Sequence, residues 1–495
     1  MPGEADDILA DHSSKSWVPV YGADEAQRTI LRRRRLQDAT VPPPVAERIR
    51  DTFGEPLTPQ QAVQRILASV ERDGDAALLE WTALLDAVQL RSAADLAVGA
   101  EGLQTALQQV EPELAEALRQ AAYRIVAYHR AQPVHSWLTT ALGGQLGQLV
   151  RPMERVGFYV PGGAAPLPST VLMSVLPAVV AGVSELVVVS PPTRDTGDVH
   201  VATLAACAIC AEVLAEEERR RRQQQQQQPH FGGSSTPPHT APPSSHLRVF
   251  RAGGAQAVAA LAYGTDSVPR VDKIVGPGNL FVTLAKREVF GLCGIDGVYG
   301  PTEAVVVADD TADAARVAAD LLAQAEHDYL AVPILLTPSS ALAGRVVHEL
   351  ERQVAALEAS RAERARHSLS HQGGVVLCAS LDECLALCNA FATEHVSLSV
   401  SQPWQALGGI RHAGGVFLGE ASCEVLGDYV AGPSHVMPTG GSARYSSPLS
   451  VLDFVKVTSV VALDDVTVRQ LAPAAERLAR AEGLTAHARA AALRK

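Results

Sequence analysis

Aromatic side chains are scarce, at 4% of 495 residues, so the cores must rest on aliphatic residues such as Ala, Val and Leu within a 47% hydrophobic content. Cysteine is sparse as well. Seven scattered cysteines, an odd number in a long chain, exclude a disulfide framework and suit a reducing compartment. Cys207 and Cys210 form a C-x-x-C without a second pair nearby, inside an Ala-rich helical stretch, and read as two small buried residues on one helix face. Basic excess is missing: the net charge is −12, which argues against a nucleic-acid partner. The basic run Arg32 to Arg35 reads as a solvated helix face diluted by acidic neighbours. Long apolar runs are missing too. Residues 171–183 are interrupted by Ser174 and Pro177 and are too short to cross a bilayer. The N-terminus carries Glu4, Asp6 and Asp7 and resembles neither a secretory signal nor a transit peptide. The expectation is a cytoplasmic protein, with a plastid as the alternative location, and with no membrane partner.

The length exceeds what one compact core supports and predicts at least two domains. The first third reads as helical: residues 27–51 with a break at Pro42-Pro43-Pro44, then 58–85 opening at Thr58-Pro59, then 101–131. From residue 155 the texture changes. A strand over 156–160, a turn at Pro161-Gly162-Gly163, a helix over 169–182 and a strand over 185–190 make a parallel α/β unit. A helix to Ala215 is followed by residues 216–246, rich first in Glu, Arg and Gln and then in Gly, Ser, Thr, Pro and His. That composition predicts a disordered surface insertion. Strands and helices then alternate from 247 to 418, and past Ser450 come a short strand pair and a terminal helix over 472–493. No internal sequence repeat is visible. The expected fold is α/β, two doubly wound (incomplete Rossmann-like) domains with helical N- and C-terminal arms. The expected division is an arm over 1–50, a first domain from 51–158 with 302–449, a second over 159–301, and a C-terminal arm over 450–495.

Gln324 and His327 stand three apart at the end of a helix over 311–327, so both can touch one small cation or polar substrate; a frayed, capped helix end is the plainer reading. The G-x-G-x-x-G fingerprint is absent. In its place three glycine turns follow strands: Pro161-Gly162-Gly163, Gly253-Gly254-Ala255-Gln256 and Gly276-Pro277-Gly278-Asn279. Each opens a helix, where backbone N–H groups can hold a phosphate. Glu394 and His395 open a strand, either as a pair for successive proton transfers or as an exposed polar strand start. Asp428 and His435 lie in a glycine-rich loop. With Gln324 and His327 they offer mixed oxygen and nitrogen ligands that suit zinc or another borderline divalent ion.

These segments, with Tyr159-Val160 before the first turn, Gln324-Ala325-Glu326-His327, Gly427-Asp428-Tyr429, Ser434-His435-Val436-Met437-Pro438-Thr439 and Leu484-Thr485-Ala486-His487, resemble the histidinol dehydrogenase family in its own order. The resemblance spans residues 150 to 490. It implies a zinc-dependent enzyme that oxidises L-histidinol through L-histidinal to L-histidine with two NAD+. It implies Gln324, His327, Asp428 and His487 as zinc ligands, with His487 reaching the partner's site in a homodimer whose arms build shared active sites. It further implies Glu394 and His395 as the acid/base pair and Tyr159, Gln256 and Asn279 as NAD contacts. Thr302, Gln324, His327, His395, Asp428, Glu482 and His487 then meet the substrate, with His435 lining the same pocket. On this pattern 302–449 carries the catalytic and zinc residues, and 159–301 binds NAD.

The chain departs from that pattern at Thr302, where Ser is common, at Thr393, where Pro is usual, at Gly297-Val298-Tyr299, and in the 216–246 insertion. None of these removes a catalytic group. Two other chemistries fit the residues: a related zinc/NAD dehydrogenase acting on another small alcohol, and a zinc hydrolase in which Glu394 activates water.

Overall fold

Runs such as Glu185–Ser190 and Glu303–Ala308 are apolar at nearly every position, the mark of strands covered on both faces. The computed structural model describes residues 16–33, 43–162, 166–227 and 247–494. Its strands, in chain order, are β1 (Val20–Gly22), β2 (Ala97–Val98), β3 (Trp137–Thr139), β4 (Gln145–Pro152), β5 (Arg155–Tyr159), β6 (Glu185–Ser190), β7 (Leu247–Arg251) and β8 (Lys273–Val275). They continue with β9 (Gly294–Ile295), β10 (Glu303–Ala308), β11 (Val332–Thr337), β12 (Gly374–Leu377), β13 (His395–Ser399), β14 (Gly415–Leu418) and β15 (Val455–Ala462).

Among the described residues these strands form two six-stranded sheets and one of three strands. The first sheet has the order β1-β12-β11-β10-β13-β14 and is parallel throughout. The second has the order β2-β7-β6-β5-β8-β9 and is parallel except where β2 meets β7. Both grow outward from a central strand, first to one side and then to the other, so each has a switch point: β10/β13 in the first, β5/β8 in the second. A repeat therefore exists in strand order though none is visible in sequence. Period-2 alternation fills both faces. Leu186 and Val188 enter one core of the second sheet while Val187 and Val189 enter the other. Val305 and Val307 are likewise opposed by Val306 and Ala308 in the first sheet.

Several expectations are corrected. The N-terminal arm is not wholly helical, because β1 adds an edge strand to the first sheet. The segment 51–158 gives β2 and most of β5 to the second sheet, and its Pro59–Asp73 and Pro112–Arg130 helices pack into that sheet's two cores, while Arg124 of the latter helix also donates to the Val430 and Ala431 carbonyls. Past Ser450 there is one strand, β15, which pairs antiparallel with β4 from far back in the chain. The terminal helix is two, Asp465–Ala481 and Thr485–Ala492, parted where Gly483 takes φ 73.

The predicted insertion is also partly ordered: the helix Val201–Gln227 runs on through its first residues. Glu217 is 4% exposed and pairs with Arg130, and Arg221 donates to the Val179 and Val180 carbonyls that end the Pro168–Ala181 helix. These partners fix the segment where composition alone suggests solvent. Gly163 and residues 228–246 lie outside the described residues. Cys207 and Cys210 are buried in the same helix as expected, and burial pushes the Cys207 thiol up to about 12. Among the described residues no helix is long and apolar enough to cross a membrane.

Candidate active site

The candidate acid/base pair sits where β13 begins. Ala392, at φ 54, ends the Leu381–Phe391 helix and turns the chain toward the sheet. Parallel pairing then sets His395 opposite Ala304, so Glu394 faces the start of β10. Glu394 Oε2 accepts from the Thr302 hydroxyl at 2.7 Å and from the Glu303 N–H at 3.0 Å. Burial pushes its carboxyl well above the usual range, against the lowering effect of those two bonds.

His395 is 3% exposed and its Nδ1 lies 3.2 Å from the Glu303 carbonyl. Donation from Nδ1 leaves the lone pair on Nε2. That atom is 3.7 Å from Asp428 Oδ1, and neither has a hydrogen-bond partner among the described residues. Burial above all, with His435 and His327 adding to it, lowers His395 to about 3, so the ring is neutral near pH 7.

Asp428 lies in the short π-helical turn Gly427–Ala431, and burial lifts its carboxyl to about 7. Glu424, one helical turn earlier, is 2% exposed with Oε1 3.6 Å from His395 Nδ1. Burial, then the charges of Asp428 and Glu394, push it well above the ordinary value. One ligand atom from each of His395, Glu424 and Asp428 lies within 4.8 Å of the others. A buried and a half-buried carboxylate, with an unpartnered imidazole nitrogen and carboxylate oxygen between them, fit a borderline divalent cation such as zinc.

Gln324 is fully buried and its amide meets the Thr302 hydroxyl. With its nitrogen turned to Glu424 and its oxygen accepting from the Glu303 N–H at 2.9 Å, every amide atom is satisfied. His327 stands two residues beyond the end of the Ala314–Ala325 helix, exposed, with Nδ1 2.8 Å from the Ala323 carbonyl. His435 is held between the Asp428 carbonyl at 2.9 Å and Thr170 Oγ1 at 3.3 Å, and burial lowers it to about 4. The fold thus gathers Thr302, Gln324, His327, Glu394, His395, Asp428 and His435. It does not gather Glu482 or His487: both are exposed on the C-terminal helices, and no hydrogen bond or ion pair among the described residues joins either to the cluster.

The three candidate NAD residues cluster elsewhere, past the carboxyl ends of β5, β7 and β8. The Tyr159 hydroxyl accepts from the Gly254 N–H at 3.2 Å, and burial pushes it up to about 12. Gln256 Nε2 lies 3.3 Å from Asp86, while its buried Oε1 has no partner among the described residues. Asn279 Oδ1 accepts from the N–H groups of Phe281 and Val282, so it caps the Leu280–Val289 helix. Gly276, at φ 115, is required there: a Cβ would run into the Tyr159 carbonyl oxygen.

Sequence reasoning missed three groups. Glu424 is a lone acid whose only signal is its i,i+4 spacing to Asp428. Arg33, expected on a solvated face, pairs with the buried Glu303, stacks 3.5 Å over Phe391 and donates to the Phe391 and Ala392 carbonyls. No local pattern announces a pair 270 residues apart. Asp86, lifted by burial to about 6, supports Gln256 from a segment with no motif of its own.

The family model described as histidinol dehydrogenase matches residues 55–213 and 244–495. The histidinol dehydrogenase of Deinococcus radiodurans is 50% identical over 457 residues, covering 92% of this chain and 95% of its own length. That of Thermus thermophilus is 44% identical over 476 residues, covering 96% and 100%. The crystal structure of histidinol dehydrogenase from Elizabethkingia anophelis aligns with a TM-score of 0.81 at 29% identity, over 97% of this chain and 98% of that one. A match this long, across both sheets and the residues of both clusters, places the chain in the histidinol dehydrogenase family.

Proposed function

We propose that the chain oxidises L-histidinol through L-histidinal to L-histidine with two NAD+, as a zinc-dependent homodimer with shared active sites. The observation that carries this reading is a buried, neutral His395 with an unpartnered Nε2, set beside Glu394. The Glu303 carbonyl fixes the tautomer, so Nε2 is the atom that takes the substrate's hydroxyl proton. The low pKa keeps that nitrogen unprotonated and available. Glu394 is anchored through Oε2 by Thr302 and Glu303, and its raised pKa makes it a stronger base once ionised. That suits it to activate the water that hydrates the aldehyde. His395 then receives the proton of the resulting diol, as it did that of the alcohol. Bound NAD+ supplies the hydride acceptor in each oxidation, and bound zinc orients the substrate's imidazole and amine.

Asp428 belongs both to the zinc set that the family resemblance implies and to the cation-competent cluster of the fold. Gln324 and His327 complete that set from this chain, and Glu424 holds the Gln324 amide. The exposed His487 and Glu482, carried on an arm outside their own chain's cluster, are free to serve the partner's site. Tyr159, Gln256 and Asn279 are assigned to NAD+. A reducing, cytoplasmic location fits seven cysteines that are all free thiols. The test is NADH release from L-histidinol: about two per substrate, abolished by chelation and restored by zinc. Saturable NAD+ binding without any histidinol-dependent reduction would sink the proposal.

A further inference from the structure

The Val201–Gln227 helix continues past residue 213, where the family match breaks off before resuming at 244. At 3.6 residues per turn the added stretch is about four turns. Those turns form one wall of a cavity of about 480 Å³, a size that suits a small metabolite. They contribute Glu217, Arg220 and Arg221, and the end of the Pro112–Arg130 helix supplies Arg130 across from them. Three guanidinium groups therefore share one lining carboxylate.

Glu217 is already committed. It is paired with Arg130, and Arg220 Nη1 stands 3.9 Å from the same carboxylate. Arg221 is held by the Val179 and Val180 carbonyls, a seat that fixes its fork without neutralising it. Glu218 lies on the same helix but pairs with Arg222 at 3.7 Å and is not part of the lining. His135 adds a further nitrogen heterocycle to the wall. Counting the lining side chains, three Arg against one Glu leave two positive charges in excess around the space. Arginine forks held in fixed directions match the oxygens of phosphate and carboxylate groups.

We propose that this cavity binds a small multivalent oxyanion, a metabolite bearing phosphate or carboxylate groups. The site lies at the opposite end of the Pro168–Ala181 helix from the catalytic cluster. Thr170 touches His435 near one end and Val180 lines the cavity near the other. The ten helical steps from one to the other span about 15 Å at 1.5 Å per residue.

The zinc-loaded full-length enzyme, saturated with NAD+ so that the cofactor's phosphate positions are filled, is titrated calorimetrically with inorganic phosphate and separately with succinate. Chloride at matched ionic strength is the control. Saturable binding of phosphate alone assigns the phosphate class, and of succinate alone the carboxylate class. Arg220→Ala should weaken that binding by about tenfold, the usual scale of one charge-assisted hydrogen bond. Arg222→Ala, altering the neighbouring arginine outside the lining, should leave it unchanged. The Arg220 side chain is 47% exposed, so the variant should melt with the parent, and Arg220→Gln repeats the test if it does not. Absence of saturable binding by both anions, or equal affinity in the Arg220 variant and the parent, would overturn the proposal.

Discussion

The first and second sheets share a strand order, yet their polar residues gather at opposite ends. In the second sheet Tyr159, Gln256 and Asn279 stand at the carboxyl ends of β5, β7 and β8, on the side of the sheet where ligands usually bind in open α/β folds. In the first, Thr302, Glu303, Glu394 and His395 crowd the amino ends of β10 and β13. The carboxyl-end cluster is made by turns that follow their own strands, with Asp86 the exception. The amino-end cluster is assembled from the N-terminal arm, two strand starts, a helix end and the 424–435 loop. One end supplies backbone N–H groups at helix starts; the other supplies buried carboxyl groups whose pKa values are raised by desolvation. The proposed function places cofactor binding at the turns and proton transfer in the buried cluster.

Variants should separate those roles. His395→Asn should lower kcat for both histidinol and histidinal by about 10²- to 10⁴-fold while leaving NAD+ affinity intact. Glu394→Gln should impair the histidinal step more than the histidinol step, since only the aldehyde needs an activated water. Gln256→Ala should do the reverse of both, raising the KM for NAD+ with little change in kcat. Steady-state kinetics on each substrate separately decide this, and equal losses in both half-reactions for the Glu394 variant would break the division.

A smaller effect bears on the insertion. Deleting 228–246 with a short linker should leave the melting temperature nearly unchanged. Deleting 217–246 removes the partner of Arg130 and the Arg221 cap on the neighbouring helix, and should lower it by several degrees. Equal melting temperatures for the two deletions would show that the added turns contribute nothing to the fold.

The mildest effect is on pH. Burial lifts Asp428 to about 7, so its protonated form contributes stability at low pH that is lost as pH rises through that value. A cation must displace that proton. The gap in melting temperature between zinc-loaded and metal-free enzyme should therefore widen from about pH 6 to about pH 8. A gap independent of pH would contradict Asp428 as a ligand.

What the sequence made legible follows the same contrast. The β6 strand and the Thr58 helix start are written locally, the latter in a Thr58–Gln61 capping box, and both fall where pattern and cap chemistry place them. The polar cluster of the first sheet, Glu424 apart, is quoted residue by residue in the family's motifs. Its supports are not, because Arg33 with Glu303, or β4 with β15, are partnerships of distant segments that leave no periodic trace. The 216–227 stretch escapes sequence reading for a related reason: Glu217 and Arg221 look solvated in composition, and the partners that bury them, Arg130 and the Val179 and Val180 carbonyls, lie on other helices. Glu482 and His487 stay exposed on the C-terminal helices, outside the cluster of their own chain.

The division between the two sheets is tested most directly by hydrogen–deuterium exchange on the zinc-loaded enzyme, with NAD+ alone and with L-histidine alone. NAD+ should slow exchange at Gly254–Tyr263 and Leu280–Val289 and leave the starts of β10 and β13 unaltered. L-Histidine should slow exchange around Thr302, Glu303, Glu394, His395 and the Gly427–Ala431 turn, and leave the second sheet's turns unaltered. Protection of the β10 and β13 starts by NAD+ alone, or of the glycine turns by L-histidine alone, would contradict the assignment.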